Sequence, residues 1–330
     1  MTDNITENVY GMRRSDALIS IVTPVFNEEA GIDDLAERLT RVLSKLQYQF
    51  EIVLVDDGSV DGTLERLRNW QEKDSRLVIV KLSRNWGHQN AFNAGLDEAQ
   101  GDAVIFMDGD LEDPPEVIPE LLSGWQEGFD TVYTVKNIRY QNLLRRCLTD
   151  IYYWLVRKST RYGIEPQSGM FSLIDRKVAK VLRQMNESGK SYPNLRALVG
   201  FKQKRVIYSR EKRVHGHPKQ SLVRLFSDGL NALFSNTYLP IRVFTVMGLV
   251  LSLFFVLIGV VVFGVRITGY EFWIFKDIRG TQLILLAVMA FGSLQIAFLG
   301  ILGEYIARIY EEAKGRPYYI VEEVTRSKSD

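Results

Sequence analysis

Two long apolar runs near the C-terminus constrain this chain more than any other feature of its sequence. Neither residues 243–265 nor residues 281–303 include a charged side chain. Each run exceeds the roughly 20 residues that a helix needs to cross the hydrocarbon core of a bilayer. A buried helix of a soluble protein is the alternative, but two such runs in one chain favour membrane spans. Because residues 266–280 connect them closely, we expect a helical hairpin with both chain ends on one side.

Basic residues predict the orientation of this hairpin. The connection carries only Arg266, Lys276 and Arg279, fewer than the flanks. Since cytoplasmic segments are enriched in Lys and Arg, we expect a multi-pass protein of the inner (plasma) membrane with both termini cytoplasmic. The flanking basic residues are Arg210, Lys212, Arg213, Lys219, Arg224 and Arg242 before the first run, and Arg308, Lys314, Arg316, Arg326 and Lys328 after the second.

The first 135 residues alternate strand-like and helix-like segments. Helical spacing of apolar residues occurs in residues 29–46 and 61–73. Continuous apolarity is typical of strands covered on both faces, so we expect an α/β domain with a mostly parallel sheet. The near-continuous apolar runs are residues 18–26, 50–58, 76–83, 103–110 and 130–135.

Three acidic motifs follow these runs, where ligands bind in open α/β sheets. They read PVFNEE (residues 24–29), VDDGSVDG (55–62) and MDGDLED (107–113). Carboxylates as close as those of the third motif repel one another unless a cation or several donors neutralise them. We therefore expect the motifs to converge on one cleft that holds a divalent metal ion.

Several other site classes are excluded. Neither DGSVDG nor DGDLED has the ligand and glycine spacing of an EF-hand, and no GxGxxG or GxxxxGK[ST] turn is present. The three histidines, His88, His215 and His217, are badly spaced for a zinc site, and Cys147 is the single cysteine. The net charge of +1 argues against a nucleic-acid partner.

The ordered set of PVFNEE, VDDGS, DGD and DLEDPPE resembles family 2 glycosyltransferases of GT-A fold. The chain also resembles the polyprenyl-phosphate glycosyltransferases, a narrower group. The features that carry this resemblance are the two apolar runs and the segments KLSRNWGHQNAFNAGL and GEYIARIYEEAKGRPYYIVEE. That group includes dolichol-phosphate mannose synthase and the bacterial GtrB-like enzymes. The resemblance covers residues 20 to about 324.

The resemblance implies roles on the donor side for a nucleotide sugar, such as UDP-glucose. Asp110 would bind Mg²⁺ or Mn²⁺, and Asp108 would bridge the metal and the ribose. Glu112 is either a second metal ligand or a solvated carboxylate. Asp56 would support the turn of the VDDGS motif, and Asp113 would shape the turn before Pro114. At the nucleoside, the expected residues are Pro24, Phe26, Glu28 and Asp57. At the diphosphate, they are Arg84 and Gly87, for which the alternative is that RNWG is only a structural loop.

The acceptor side departs from the family pattern. Met170 and Ser172 stand where relatives often carry an acid and an arginine. A lipid phosphate is already largely anionic at neutral pH, so it needs cations to position it rather than a general base. The expected acceptor-phosphate residues, each alternatively a juxtamembrane charge attracted to anionic lipid, are Lys136, Arg139, Arg213 and Lys219.

These inferences predict inverting transfer of one sugar to polyprenyl (undecaprenyl) phosphate by a homo-oligomer, with a tetramer suggested by the resemblance. The expected organisation is a flexible N-terminus (1–17), a GT-A domain (18–220) with an interfacial helix near 140–160, a juxtamembrane amphipathic helix (221–240), two transmembrane helices (241–307) and a cytoplasmic tail (308–330).

The alternatives are a processive polysaccharide synthase and a membrane scaffold or flippase component. No QxxRW-type motif follows the DGD, which argues against the synthase. The apolar runs contain no ionisable residue, which argues against a transport path.

Overall fold

The structure is a computed structural model that describes residues 16–136, 168–185, 191–208, 239–268 and 280–327. The chain divides into two compact units. The sheet unit comprises Met1–Arg157, Arg161–Lys219 and Pro317–Asp330, and the helical unit comprises Lys158–Thr160 and Gln220–Arg316. The chain therefore leaves the sheet unit, passes through the helical unit and returns.

The sheet unit is built on an eight-stranded mixed sheet in the order β7-β5-β6-β4-β1-β2-β3-β8. The pairs β1–β2, β1–β4, β2–β3 and β5–β7 are parallel, and β4–β6, β5–β6 and β3–β8 are antiparallel. The strands are β1 (Leu18–Val25), β2 (Gln49–Asp56), β3 (Leu77–Leu82), β4 (Ala103–Phe106), β5 (Thr131–Lys136), β6 (Ser168–Asp175), β7 (Gln203–Tyr208) and β8 (Val321–Arg326).

Helices cover both faces of this sheet, as the continuous apolar strands predict. One buried cluster unites the sheet with α1, α2 and α4, and the other unites it with α3, α5 and α6. The helices are α1 (Ile32–Leu43), α2 (Thr63–Lys73), α3 (His88–Glu98), α4 (Ile118–Gln126), α5 (Arg176–Gln184) and α6 (Tyr192–Val199).

The α/β prediction is confirmed, and the five expected strands are present. The expectation of a mostly parallel sheet also holds, since six of the eight strands run in the same direction and only β6 and β8 run antiparallel to their neighbours. β6 lies between β4 and β5, so it brings its first residues to the carboxyl ends of both neighbours.

The C-terminal segment, expected as a tail, contributes strand β8 to the sheet. β8 pairs with β3 in the register Ile79↔Thr325. The Gln71 side chain donates to the Thr325 carbonyl at 2.7 Å, and Arg326 Nη2 donates to the Glu98 carbonyl at 2.7 Å. β8 thus covers the edge that β3 would otherwise leave open, which removes a row of unpaired backbone groups.

The helical unit contains α7 (Leu239–Thr268) and α8 (Gly280–Ala313), which include the two predicted spans. Within the described residues, Ala287–Ala313 is long and apolar enough to cross a membrane, and α7 has a shorter apolar segment, Phe244–Phe255. Phe255 and Phe291 pack with ring centroids 4.6 Å apart. The expected amphipathic helices near residues 140–160 and 221–240 lie outside the described residues.

Candidate active site

The loops that follow β1 and β2 are joined through Asn27. Its backbone has a φ of 51°, a left-handed conformation that Asn tolerates better than most residues. The Asn27 amide donates to Ser59 Oγ at 3.0 Å, and the Val60 amide donates to Asn27 Oδ1 at 2.9 Å. The Glu28 amide adds a bond to Thr63 Oγ1 at 3.0 Å. PVFNEE and VDDGSVDG therefore form one connected structure.

Asp57 joins the β2 loop to the loop between β3 and α3. Its Oδ1 accepts from the Trp86 amide at 2.7 Å, and its Oδ2 accepts from the Gly87 amide at 3.0 Å. Burial raises the pKa of Asp57, although these two amides act in the opposite direction. The preceding Asp56 accepts from the Ser59 amide at 3.1 Å, in agreement with its expected support of the turn.

His88 joins the start of α3 to the loop after β4. Its Nε2 lies 3.0 Å from Asp108 Oδ1. Partial burial opposes the charged imidazolium, but the hydrogen bond and charge of Asp108 and the nearby Asp110 outweigh it, so the pKa of His88 is raised. The first aspartate of DGD is therefore held by a basic side chain in the described structure.

Gly109 brings the loop after β4 back against the end of β1. A Cβ placed on Gly109 would lie 2.8 Å from the Pro24 carbonyl oxygen and 2.8 Å from Val25 Cγ1. Both distances are far below normal contact, so only glycine allows this approach. Asn27, Asp57, His88 and Gly109 thus link the four loops into a closed set, which we call the loop ring.

The acidic segment after Gly109 has two different halves. Leu111 adopts a φ of 58° with its side chain buried, and the Glu112 amide donates to Asp110 Oδ1 at 3.1 Å. Asp110 and Glu112 remain partly exposed, whereas Asp113 is buried and accepts from the Tyr208 hydroxyl. Asp110 and Glu112 are therefore accessible to a ligand, and Asp113 fixes the turn.

The acidic side chains suit a metal that shares its coordination with a substrate. Within the described residues, no three His, Cys, Asp or Glu side chains form a preformed metal cage. Mg²⁺ is commonly held by one or two carboxylates together with substrate phosphates and water. The oxygen donors of Asp108, Asp110 and Glu112 fit this mode.

The other expected site residues are placed as follows. The Pro24 carbonyl lies beside Gly109, and Phe26 and Glu28 lie partly exposed directly after β1. Arg84 stacks on the Trp86 ring, its guanidinium carbon 3.8 Å from the ring centroid. Lys136 is the last residue of β5, and Arg139, Arg213 and Lys219 lie outside the described residues.

The contributions of Asn27, Trp86 and His88 were not predicted from the sequence. His88 was considered only as a zinc ligand, yet it begins the helix that follows a strand, at the edge where the acidic motifs meet. That position is the signal that could have identified it, because successive parallel strands end at the same edge.

The Glycosyl transferase family 2 model matches residues 20–183 of the chain. The match runs from within β1 through β6, and therefore includes the whole loop ring.

Curated relatives extend the similarity to nearly the full length. An uncharacterized glycosyltransferase of Synechocystis is 36% identical, covering 93% of this chain and 95% of the relative. The bactoprenol glucosyl transferase of Shigella phage SfV is 35% identical, covering 92% and 97%. The undecaprenyl-phosphate 4-deoxy-4-formamido-L-arabinose transferase of Pseudomonas syringae is 31% identical, covering 94% and 92%.

The two aspartates Asp57 and Asp110 should differ in their effect on stability. Asp57→Ala leaves the Trp86 and Gly87 amides without their acceptor, so it should lower the free energy of unfolding by about 1–3 kcal/mol. Asp110→Ala removes a partly exposed carboxylate and should cost less than about 1 kcal/mol. Denaturant unfolding of both variants measures the difference. Equal losses would contradict the assignment of Asp57 to the loop ring.

Proposed function

The chain belongs to glycosyl transferase family 2, and from that premise we propose that it transfers one sugar from a nucleotide sugar to polyprenyl phosphate. The observation that carries the proposal is the loop ring, which joins the Asp108 and Asp110 loop to the loops containing Phe26, Glu28 and Asp57. Donor binding and leaving-group stabilisation are thereby assigned to one edge of the sheet.

On the donor side, Pro24, Phe26 and Glu28 line the nucleoside pocket, and Asp57 maintains its wall through Trp86 and Gly87. Arg84 and Gly87 border the diphosphate. We assign a UDP-hexose, such as UDP-glucose, as the donor. The name of the phage SfV relative, a glucosyl transferase, supports the hexose part of this assignment.

Asp110 and Asp108, with Glu112 as the further ligand, would hold Mg²⁺ or Mn²⁺ at the diphosphate. A divalent cation there neutralises the negative charge that develops on the leaving diphosphate. His88 holds Asp108 in position through the 3.0 Å contact. Leu111, anchored in the core, keeps Asp110 and Glu112 at the surface of the loop.

On the acceptor side, we propose a polyprenyl phosphate, in keeping with relatives named for bactoprenol and undecaprenyl phosphate. The second pKa of a phosphate monoester is about 6, so its oxygen is already a nucleophile at neutral pH. That oxygen bonds to the anomeric carbon while the bond from that carbon to the diphosphate breaks, which inverts the configuration. Lys136, Arg139, Arg213 and Lys219 position the lipid phosphate.

Chain connectivity supports two membrane crossings. Strands β3 and β8, which lie before and after the two long helices in the chain, pair in one sheet, and a sheet cannot lie on both sides of a membrane. If α8 crosses the bilayer, the intervening chain must cross an even number of times in total. The 30-residue α7 is long enough to supply the second crossing. We propose an inner-membrane hairpin with a cytoplasmic sheet unit; assembly into a homo-oligomer stays a prediction.

Asp110→Ala should abolish sugar transfer to polyprenyl phosphate, with a loss of about 100-fold or more, because the leaving diphosphate loses its principal metal ligand. Glu120→Ala, which removes an exposed carboxylate on α4, is the matched control and should retain wild-type turnover. Radiolabelled sugar incorporation into lipid, measured with protein of unchanged unfolding midpoint, reports the effect. Wild-type turnover by Asp110→Ala would refute its metal role.

Cysteine accessibility tests the hairpin. In a Cys147→Ser background, Glu271→Cys should react with a membrane-impermeant maleimide added to intact spheroplasts, because the connection between the helices faces outward. Ser327→Cys, next to β8, should react only after lysis. Identical labelling of both positions before lysis would contradict two crossings.

A further inference from the structure

Arg196 on α6 is a charged side chain enclosed in the core. Its relative exposure is 1%, and Tyr192, one helical turn earlier, is fully buried beside it. Arg196 Nη2 donates to the Gly169 carbonyl at 2.9 Å and lies 3.4 Å from Ser168 Oγ, and Nη1 donates to Ser172 Oγ. The Tyr133 ring centroid lies 5.5 Å from the guanidinium carbon. All these partners are neutral.

In the part of the chain that the structure describes, no carboxylate forms an ion pair with Arg196. Burial lowers the pKa of Arg196 to about 10, so the guanidinium keeps its charge at neutral pH. A buried charge without a counter-ion destabilises a fold, because its lost hydration is not compensated. The polar hydrogen bonds alone do not require a cation, since a neutral amide could make them.

The contacts of Arg196 lie in an irregularity of the sheet. β5 and β6 pair at Tyr133↔Ser172 and next at Val135↔Ser168, so β6 contains additional residues between these pairs. Two side chains donate hydrogen bonds to backbone carbonyls in this irregularity. Arg196 donates to the Gly169 carbonyl, and Thr134 Oγ1 donates to the Phe171 carbonyl at 2.9 Å. A purely structural role for Arg196 would be to stabilise this bulge.

The bulge lies where the donor and acceptor sides meet. On one side, Ser172 of β6 pairs with Phe106, two residues before Asp108. On the other side, Ser168 pairs with Val135, next to Lys136. Between them, Met170 Sδ lies 3.8 Å from the side-chain nitrogen of Gln89, the neighbour of His88. The positive charge of Arg196 is thus enclosed directly behind the ligand edge of the sheet.

We propose that Arg196 is a positioning residue whose buried positive charge attracts the phosphate of the lipid acceptor. This inference rests on the proposed function. Arg196 does not touch the phosphate; it acts through its electrostatic field, which is strong where water is excluded. The acceptor dianion supplies the counter-charge that Arg196 lacks.

The test uses the full-length protein in detergent with Mg²⁺ and measures equilibrium binding of farnesyl phosphate, farnesol and UDP. Arg196→Gln keeps hydrogen-bonding capacity without charge, and should weaken farnesyl phosphate binding by about tenfold or more. Farnesol and UDP binding should be unchanged, and Arg196→Lys should bind farnesyl phosphate more tightly than Arg196→Gln. The unfolding midpoint of Arg196→Gln should be no lower than wild type, because an uncompensated buried charge has been removed.

Thr134→Val is the matched control, because it removes a bulge hydrogen bond without changing charge, and it should bind farnesyl phosphate as wild type does. An equal loss in Thr134→Val would show that the bulge geometry alone matters and would overturn the proposal. Unchanged binding by Arg196→Gln, or a loss confined to UDP, would also overturn it. If wild-type protein binds farnesyl phosphate no more tightly than farnesol, the proposed acceptor itself fails and this inference with it.

Discussion

The two hydrogen bonds that the Asp57 carboxylate accepts from the Trp86 and Gly87 amides are the interaction on which the site geometry depends. They fix the start of α3, and hence His88, relative to the end of β2. His88 then contacts Asp108, and Gly109 returns the chain to Pro24. A buried carboxylate is costly unless it is hydrogen-bonded, and here that requirement fixes the position of the loop between β3 and α3.

The same edge of the sheet has a second, more irregular side formed by β5, β6 and β7. β6 runs antiparallel to β4 and β5, so its first residues lie at the carboxyl ends of both strands. Arg196 donates to Ser172 and to the Gly169 carbonyl of β6, and its described contacts include no carboxylate. Carboxylates on one side of this edge and the buried guanidinium of Arg196 on the other are the charges from which we propose a metal-bound donor and an anionic acceptor.

The sequence was sufficient for the part of the fold whose signals are local. Continuous apolar runs identified β1 to β5, and the acidic motifs at their ends identified the edge where the four loops meet. β6, β7 and β8 were missed because their pairing depends on distant partners: β8 pairs with β3 across most of the chain. His88 and Arg196 were missed for a related reason, since they contact Asp108 and Ser172, which are distant from them in sequence. Asp113, in contrast, was correctly separated from its acidic neighbours because a proline follows it.

Product analysis with purified protein, undecaprenyl phosphate and a panel of UDP- and GDP-sugars is the decisive experiment for the proposed reaction. We expect a product with one sugar per lipid phosphate, formed with inversion from a UDP-hexose, and we expect its formation to stop when EDTA removes the divalent metal. Transfer to a free saccharide at an equal rate, formation of a polymer, or undiminished transfer in EDTA would contradict it.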